Sequence, residues 1–130
     1  MFTVDPPALE RYQEDESNNS SLIVAVANGA HRLLFCGDAE DLRMAEYLKT
    51  DPGQFDFIKL PHHGRYQSTL KELLNVTRPG CARITSSEAE LEDSQTMELL
   101  SEVAVEVLLT RNGPIQINCS ADEFKAEYVQ

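Results

Sequence analysis

Basic residues are scarce in this chain. Its 130 residues hold 11 Lys and Arg against 22 Asp and Glu, a formal net charge of −11. Affinity for a phosphate backbone comes mostly from Lys and Arg displacing counterions, so nonspecific nucleic-acid binding by the isolated acidic chain is not expected. Long apolar runs are missing too. The longest, such as Leu22 to Ala27, are strand-sized and far short of the roughly 20 residues of a spanning helix, so no membrane segment is expected. The stretch Met1-Phe2-Thr3-Val4-Asp5-Pro6-Pro7 has neither the basic region nor the apolar core of a secretory signal, which leaves a cytoplasmic location as the default. Cysteine is sparse and odd in number. Cys36, Cys81 and Cys119 stand at irregular spacing, the first two inside apolar runs, so the expected state is reduced, buried thiols and no disulfide framework.

What is present is enough apolar material for one packed core: 42% of 130 residues, read as a single domain over 1–130 whose ends, 1–20 and 121–130, are expected to be mobile. Phe2 to Val4 reads as a short strand halted by Pro6-Pro7, and the polar Glu10 to Ser21 as a loop. Leu22 to Ala27 and Arg32 to Cys36 flank Asn28-Gly29 as an antiparallel hairpin, apolar at nearly every position and so expected to be covered on both faces. Ala39 to Lys49 has Leu42, Ala45, Met44 and Leu48 at helical spacing. A strand from Phe55 to Leu60 follows, then a helix to Asn75 opened by Ser68 or Thr69, with Thr69 and Glu72 at capping-box spacing. A strand at Cys81 to Thr85, a helix near Ser94 to Glu102, and a second hairpin of Val105 to Thr110 and Pro114 to Asn118 around Arg111-Asn112-Gly113 complete the pattern. The tail, Ala121 to Gln130, reads as a short helix or frayed. Alternation of this kind predicts an α/β fold, a mixed sheet with flanking helices.

Two strand ends carry the residues able to do chemistry. Leu33-Leu34-Phe35-Cys36-Gly37-Asp38-Ala39-Glu40 closes on a carboxylate, and Phe55-Asp56-Phe57-Ile58-Lys59-Leu60-Pro61-His62-His63-Gly64 closes on an imidazole pair. Asp38 next to a helix start is suited to capping the first free amides; a carboxylate there is equally suited to a metal ion. A neutral imidazole ligates Zn²⁺ and related ions, although a His pair in a turn is otherwise merely solvated. Adjacent histidines on extended backbone point in opposite directions, so one is expected to ligate and the other to orient, contact substrate or pack. His31 lies seven residues before Asp38 and reads as a surface histidine at the opposite end of its strand.

The GDAE and HHG segments resemble those of the metallo-β-lactamase superfamily, in the branch found in the hydrolase domain of ComEC-type DNA-uptake proteins. Asn18-Asn19-Ser20-Ser21-Leu22-Ile23-Val24 resembles the turn and strand ahead of GD in that branch. Pro79, the strand around Ile84, and Val105 to Ile117 resemble its closing elements. The resemblance implies the second half of an αββα sandwich. It also implies a metal set of Asp38, His62 and His63, with Asp38 and His63 in catalytic roles. One or two Zn²⁺ or Mn²⁺ ions, bridged by Asp38 where there are two, would activate water for phosphodiester hydrolysis. Arg65 and Asn19 are the substrate-binding candidates, with Asp15 and Asn18 nearby in sequence. No HxHxDH run, which supplies most of the metal ligands in the superfamily, occurs in the chain. Arg65 stands where the family often has Ser after HHG, and Asp93-Ser94-Gln95 where it commonly has His-Pro. Half a sandwich also leaves a sheet face bare, which predicts self-association or a missing N-terminal half as partner. The alternative is a non-catalytic relic acting as a binding or assembly module.

Overall fold

Asn28-Gly29 turns the chain as its sequence predicts. Gly29 takes φ +60°, and a Cβ there would lie 2.7 Å from the Ala121 carbonyl oxygen, so only glycine fits. The strands on either side, β2 (Ile23–Asn28) and β3 (His31–Phe35), pair antiparallel with Val24 opposite Phe35 and Asn28 opposite His31. A computed structural model describes residues 2–6 and 21–129. Within them β1 (Phe2–Asp5) pairs antiparallel to β2, and β4 (Phe57–Lys59), β5 (Cys81–Ile84) and β6 (Glu106–Leu109) join β3 in parallel, giving a six-stranded mixed sheet in the order β1-β2-β3-β4-β5-β6.

Each parallel step needs a crossover, and each crossover here carries a helix: α1 (Asp41–Leu48), α2 (Leu70–Thr77) and α3 (Ser94–Glu102). All three pack on one face. Met44 and Tyr47 of α1, Leu70, Leu73 and Leu74 of α2, and Leu99 and Leu100 of α3 form one core with Leu34, Ile58, Ala82 and Ile84 of the strands. Residues one position away along the same strands, Leu33, Phe57, Cys81 and Leu108, face the other side. There they meet a separate antiparallel hairpin, β7 (Ile115–Cys119) and β8 (Phe124–Tyr128), through Ile115, Ile117, Phe124 and Ala126. Fully burying a side chain such as Leu34 or Phe57 stabilises the fold by about 2 kcal/mol, and the period-two alternation assigns each to its layer. The expected α/β class with a mixed sheet and flanking helices is what the chain adopts.

Several expectations need correction. The second hairpin is not formed by β6 and the segment after it; Thr110–Asn112 is a 3₁₀ turn that carries the chain to the opposite sheet face, where β7 pairs with β8. Pro114, which has no amide hydrogen to donate, stands between them. The tail is accordingly neither helix nor frayed end: Phe124, Ala126 and Tyr128 alternate inward as a strand. This hairpin covers much of the sheet face expected to be bare. β2 and β3 are less enclosed than their apolar runs imply, with only Ile23, Leu33 and Leu34 buried. The expectations of a loop over Glu10 to Ser21 and a mobile 1–20 fall, except for 2–6 and Ser21, outside the described residues.

Helix α1 is rotated from its predicted stripe: Leu42 is 46% exposed, whereas Arg43 is fully buried. A buried guanidinium must be paired. Its Nε donates to the Ser21 carbonyl at 2.8 Å, one terminal nitrogen to Glu46 Oε1 at 3.0 Å, and the other to Asp5 Oδ2 at 2.8 Å and to the Asp5 carbonyl. Arg43 thus ties the end of β1 and the entry to β2 onto α1. The capping box of Thr69 and Glu72 is likewise replaced from outside. Thr69 makes no side-chain cap; instead Asp41 accepts from the Thr69 amide at 3.0 Å, its hydroxyl at 2.6 Å and the Ser68 hydroxyl at 3.0 Å.

Two outcomes follow for stability. Arg43→Ala leaves Glu46 and Asp5 without their cation and is expected to cost about 3 kcal/mol, read as a lower urea midpoint at unchanged slope; a loss under about 1 kcal/mol would mean the pairing does not hold β1. For Asp41, burial alone would raise the carboxyl, but the hydrogen bonds from Thr69 and Ser68 outweigh it and the net value is lowered. The unfolded chain then holds the proton more tightly. Asp41→Ala should cost about 1 kcal/mol at neutral pH, and the gap to wild type should narrow as pH falls below the ordinary 3.8 through the lowered folded value.

Candidate functional site

The carboxyl ends of β3 and β4 lie side by side, Phe35 beside Lys59. Beyond them both segments turn through the left-handed region: Gly37 at φ +59° on one side, His62 at +50°, His63 at +54° and Gly64 at +76° on the other. Pro61 closes β4 and opens the 3₁₀ turn Pro61–Gly64. The His62 amide donates to the Gly37 carbonyl at 3.0 Å, fastening one turn to the other. A Cβ on Gly64 would lie 3.0 Å from Ile84 Cγ2, so the turn sits directly on β5. The histidines are therefore not on extended backbone as expected; consecutive left-handed residues bring their ring centroids to 6.4 Å, inclined at 53°. Left-handed backbone costs a residue with a Cβ roughly 1–2 kcal/mol, and only the surrounding hydrogen bond and packing hold two in succession.

The result is convergence. His63 Nε2 lies 3.3 Å from Asp38 Oδ1, with both side chains about half exposed, an ion pair whenever the imidazole is protonated. Asp38 does not cap α1; Glu40 occupies that position, with no side-chain cap bond. Cys36, two residues before Asp38, points into the helix-side core, where burial pushes its thiol up to about 12 and removes it as a thiolate donor. Among the described residues no group of three or more His, Cys, Asp and Glu side chains is arranged to hold a metal ion.

Other predicted residues fall around this pair. Arg65 is exposed on the wall of a cleft of about 310 Å³ that His63, Thr85, Glu90 and Asp93 also line. Asp93 caps α3 by accepting from the Gln95 amide at 2.9 Å, and accepts from the Tyr66 amide at 3.1 Å, which anchors the segment after Arg65. Asn19, Asp15 and Asn18 lie outside the described residues. His31 is at the far end of β3, as its spacing implies, but is partly buried, with Nδ1 3.4 Å from Asp56 Oδ2 and its ring 6.2 Å from that of Phe124. Two cations were missed. Lys59 and Arg83 are direct neighbours across β4 and β5, on the hairpin side of the sheet. Their signal was a lone charge inside an apolar strand run. Lys59 Nζ approaches the Gly37 carbonyl at 3.4 Å, and burial draws its ammonium below the ordinary value against the opposing pull of Asp38.

Comparison with known proteins finds two similarities. Over 104 residues, 76% of its length, the chain is 30% identical to ComE operon protein 3 of Bacillus subtilis, and over 69 residues, 53% of its length, 35% identical to Recombination protein 2 of Haemophilus influenzae. It spans only 13% and 9% of those two proteins. No family model and no solved structure matches.

The left-handed turn has a measurable consequence. His63→Ala and His63→Gly both lose the imidazole, but only glycine adopts φ near +54° without strain. The glycine variant should be the more stable of the two by about 1 kcal/mol. Equal urea midpoints would mean that the turn relaxes once the ring is gone.

Proposed function

We propose that this chain forms part of a metal-dependent hydrolase module related to ComE operon protein 3, in which Asp38 and His63 supply two donors of a metal site. The observation that carries the reading is their 3.3 Å approach at the carboxyl ends of adjacent parallel strands, the edge at which α/β sheets commonly bind ligands. The donor types suit Zn²⁺ or Mn²⁺. Their number does not make a complete site, because catalytic zinc usually takes three protein ligands and a water. The remaining donors belong, on this reading, to a segment outside the described residues, to a second copy or to the N-terminal half of a longer protein. Similarity to a short portion of two much longer proteins supports that view.

A bound ion would supply Lewis acidity and a water of pKa about 7 for attack on a phosphodiester. The chain's own contribution is positional. The His62 amide and Gly64 fix the turn that presents His63. His62, beside it, is the second candidate donor. Arg65, on the rim of the adjoining cleft, offers a planar fork for a phosphate or carboxylate of substrate.

Calorimetric titration with Zn²⁺ and Mn²⁺ tests this. Wild type should bind measurably, and Asp38→Ala and His63→Ala should each weaken binding by about tenfold or more, with His62→Ala showing whether the neighbouring ring takes part. The isolated chain should hydrolyse bis-p-nitrophenyl phosphate no faster than buffer. Metal binding indifferent to Asp38→Ala would remove the reading and favour a non-catalytic binding or assembly module.

A further inference from the structure

On the hairpin side of the sheet, the last row before the carboxyl edge runs Val4, Val24, Phe35, Lys59, Arg83 and Leu108, each opposite the next across β1 to β6. Four members are apolar and two adjacent ones are cationic. Like charges directly opposite across strands, with side chains about 5 Å apart, are destabilising, and here one of the two ammonium or guanidinium groups is also drawn from water by burial. Asp38 pulls against that effect at Lys59. The Arg83 Nε is buried and has no hydrogen-bond partner among the described residues. An unsatisfied buried guanidinium nitrogen costs several times the worth of an ordinary hydrogen bond.

Arg83 opens onto a cleft of about 440 Å³ between the sheet and the start of β7, lined also by Thr110, Arg111, Pro114, Ile115 and Ile117. Two other polar side chains of that cleft, Arg111 and Thr110, make bonds of their own. Arg111 is held by Glu92 through two bonds of 2.6 and 2.9 Å, which pull the Glu92 carboxyl down to about 2. The Thr110 hydroxyl donates to the Ser86 carbonyl at 3.0 Å and accepts from its amide at 2.8 Å. Arg83 Nε thus offers the cleft wall a buried donor with no partner among the described residues.

We propose that Lys59 and Arg83 form a phosphate-binding subsite beside Asp38 and His63. A planar guanidinium fork next to a compact ammonium suits a dianionic phosphate, whose several oxygens take donors from both at once, better than a carboxylate of single charge. Lys59 joins the two sites, since its Nζ is 3.4 Å from the carbonyl of Gly37, the residue before Asp38. The role in hydrolysis rests on the reading above, in which a phosphodiester occupies the Asp38 and His63 edge; the binding itself does not.

Inorganic phosphate is the probe, followed by NMR of the arginine Nε–H resonances in the full chain without metal, at constant ionic strength and with acetate as comparison. The Arg83 resonance should shift saturably with phosphate in the millimolar range. Arg83→Gln should weaken phosphate binding by about tenfold, Lys59→Gln should weaken it several-fold, Arg83→Lys should keep part of it, and Lys125→Gln should leave it unchanged. No saturable shift, an equal response to acetate, or undiminished affinity in Arg83→Gln overturns the subsite. Because Asp38→Ala is expected to retain phosphate while losing metal, failure of the subsite and failure of the metal reading register in different variants.

Discussion

One hydrogen bond, from the His62 amide to the Gly37 carbonyl at 3.0 Å, decides the geometry of the candidate site. Parallel pairing of β3 with β4 aligns the two strands but ends at Phe35 and Lys59. Beyond that point each chain is free to diverge. The bond carries the alignment past the sheet edge, and the Lys59 ammonium reaches the same carbonyl from the side. Ile84 closes the arrangement from below, 3.0 Å from where a Cβ at position 64 would sit, and φ +76° there favours glycine. The Asp38 and His63 side chains are therefore brought together by backbone and core, and their half exposure leaves the edge open.

How far the sequence discloses this depends on whether a feature is local. Strand ends marked by Gly37-Asp38 and Pro61-His62 were legible because an apolar run of strand length stops there at a residue with restricted or unusual backbone freedom. The rotation of α1 was not. Its helical period fits a stripe through Leu42 and Leu48 as well as one through Met44 and Tyr47, and the choice is made by Asp5 and Ser21, which reach Arg43 from 38 and 22 residues away. Arg111-Asn112-Gly113 carried a hairpin signal that Pro114 overrides. The alternation Phe124, Ala126, Tyr128 was readable as a strand, though the polar residues between them disguise it as an acidic tail. Convergence of Asp38 with an imidazole was expected; the left-handed backbone that produces it was not, since the pair following Pro61 reads as continuing an extended strand, although histidine is one of the residues that tolerate positive φ.

Net charge was informative about the whole surface and silent about the edge. An excess of 11 negative charges weakens any broad attraction to a polyanion, yet the row holding Lys59 and Arg83 places two cations at one spot within the fold. At such short range, partly removed from solvent, local charge outweighs distant surface charge because screening extends over only about 8 Å at physiological salt. A chain can thus be acidic overall and still seat a phosphate. On the helix side the Cys36 thiol stays neutral in the core.

The backbone at His62 and His63 is informative in its own right. A turn needed only to connect β4 to α2 would be more stable with glycine at both positions, because each histidine there carries the penalty of a left-handed conformation. That penalty is met by fixed surroundings, the Gly37 carbonyl on one side and Ile84 on the other, and what it secures is an imidazole held beside a carboxylate at an open sheet edge. Asp51, Arg78 and Ala104 are also left-handed, at turns and helix ends, so what distinguishes His62 and His63 is that two such residues follow one another beside Asp38. In the next row inward Lys59 and Arg83 stand side by side, so a carboxylate, an imidazole and two cations lie within one strand's width of each other.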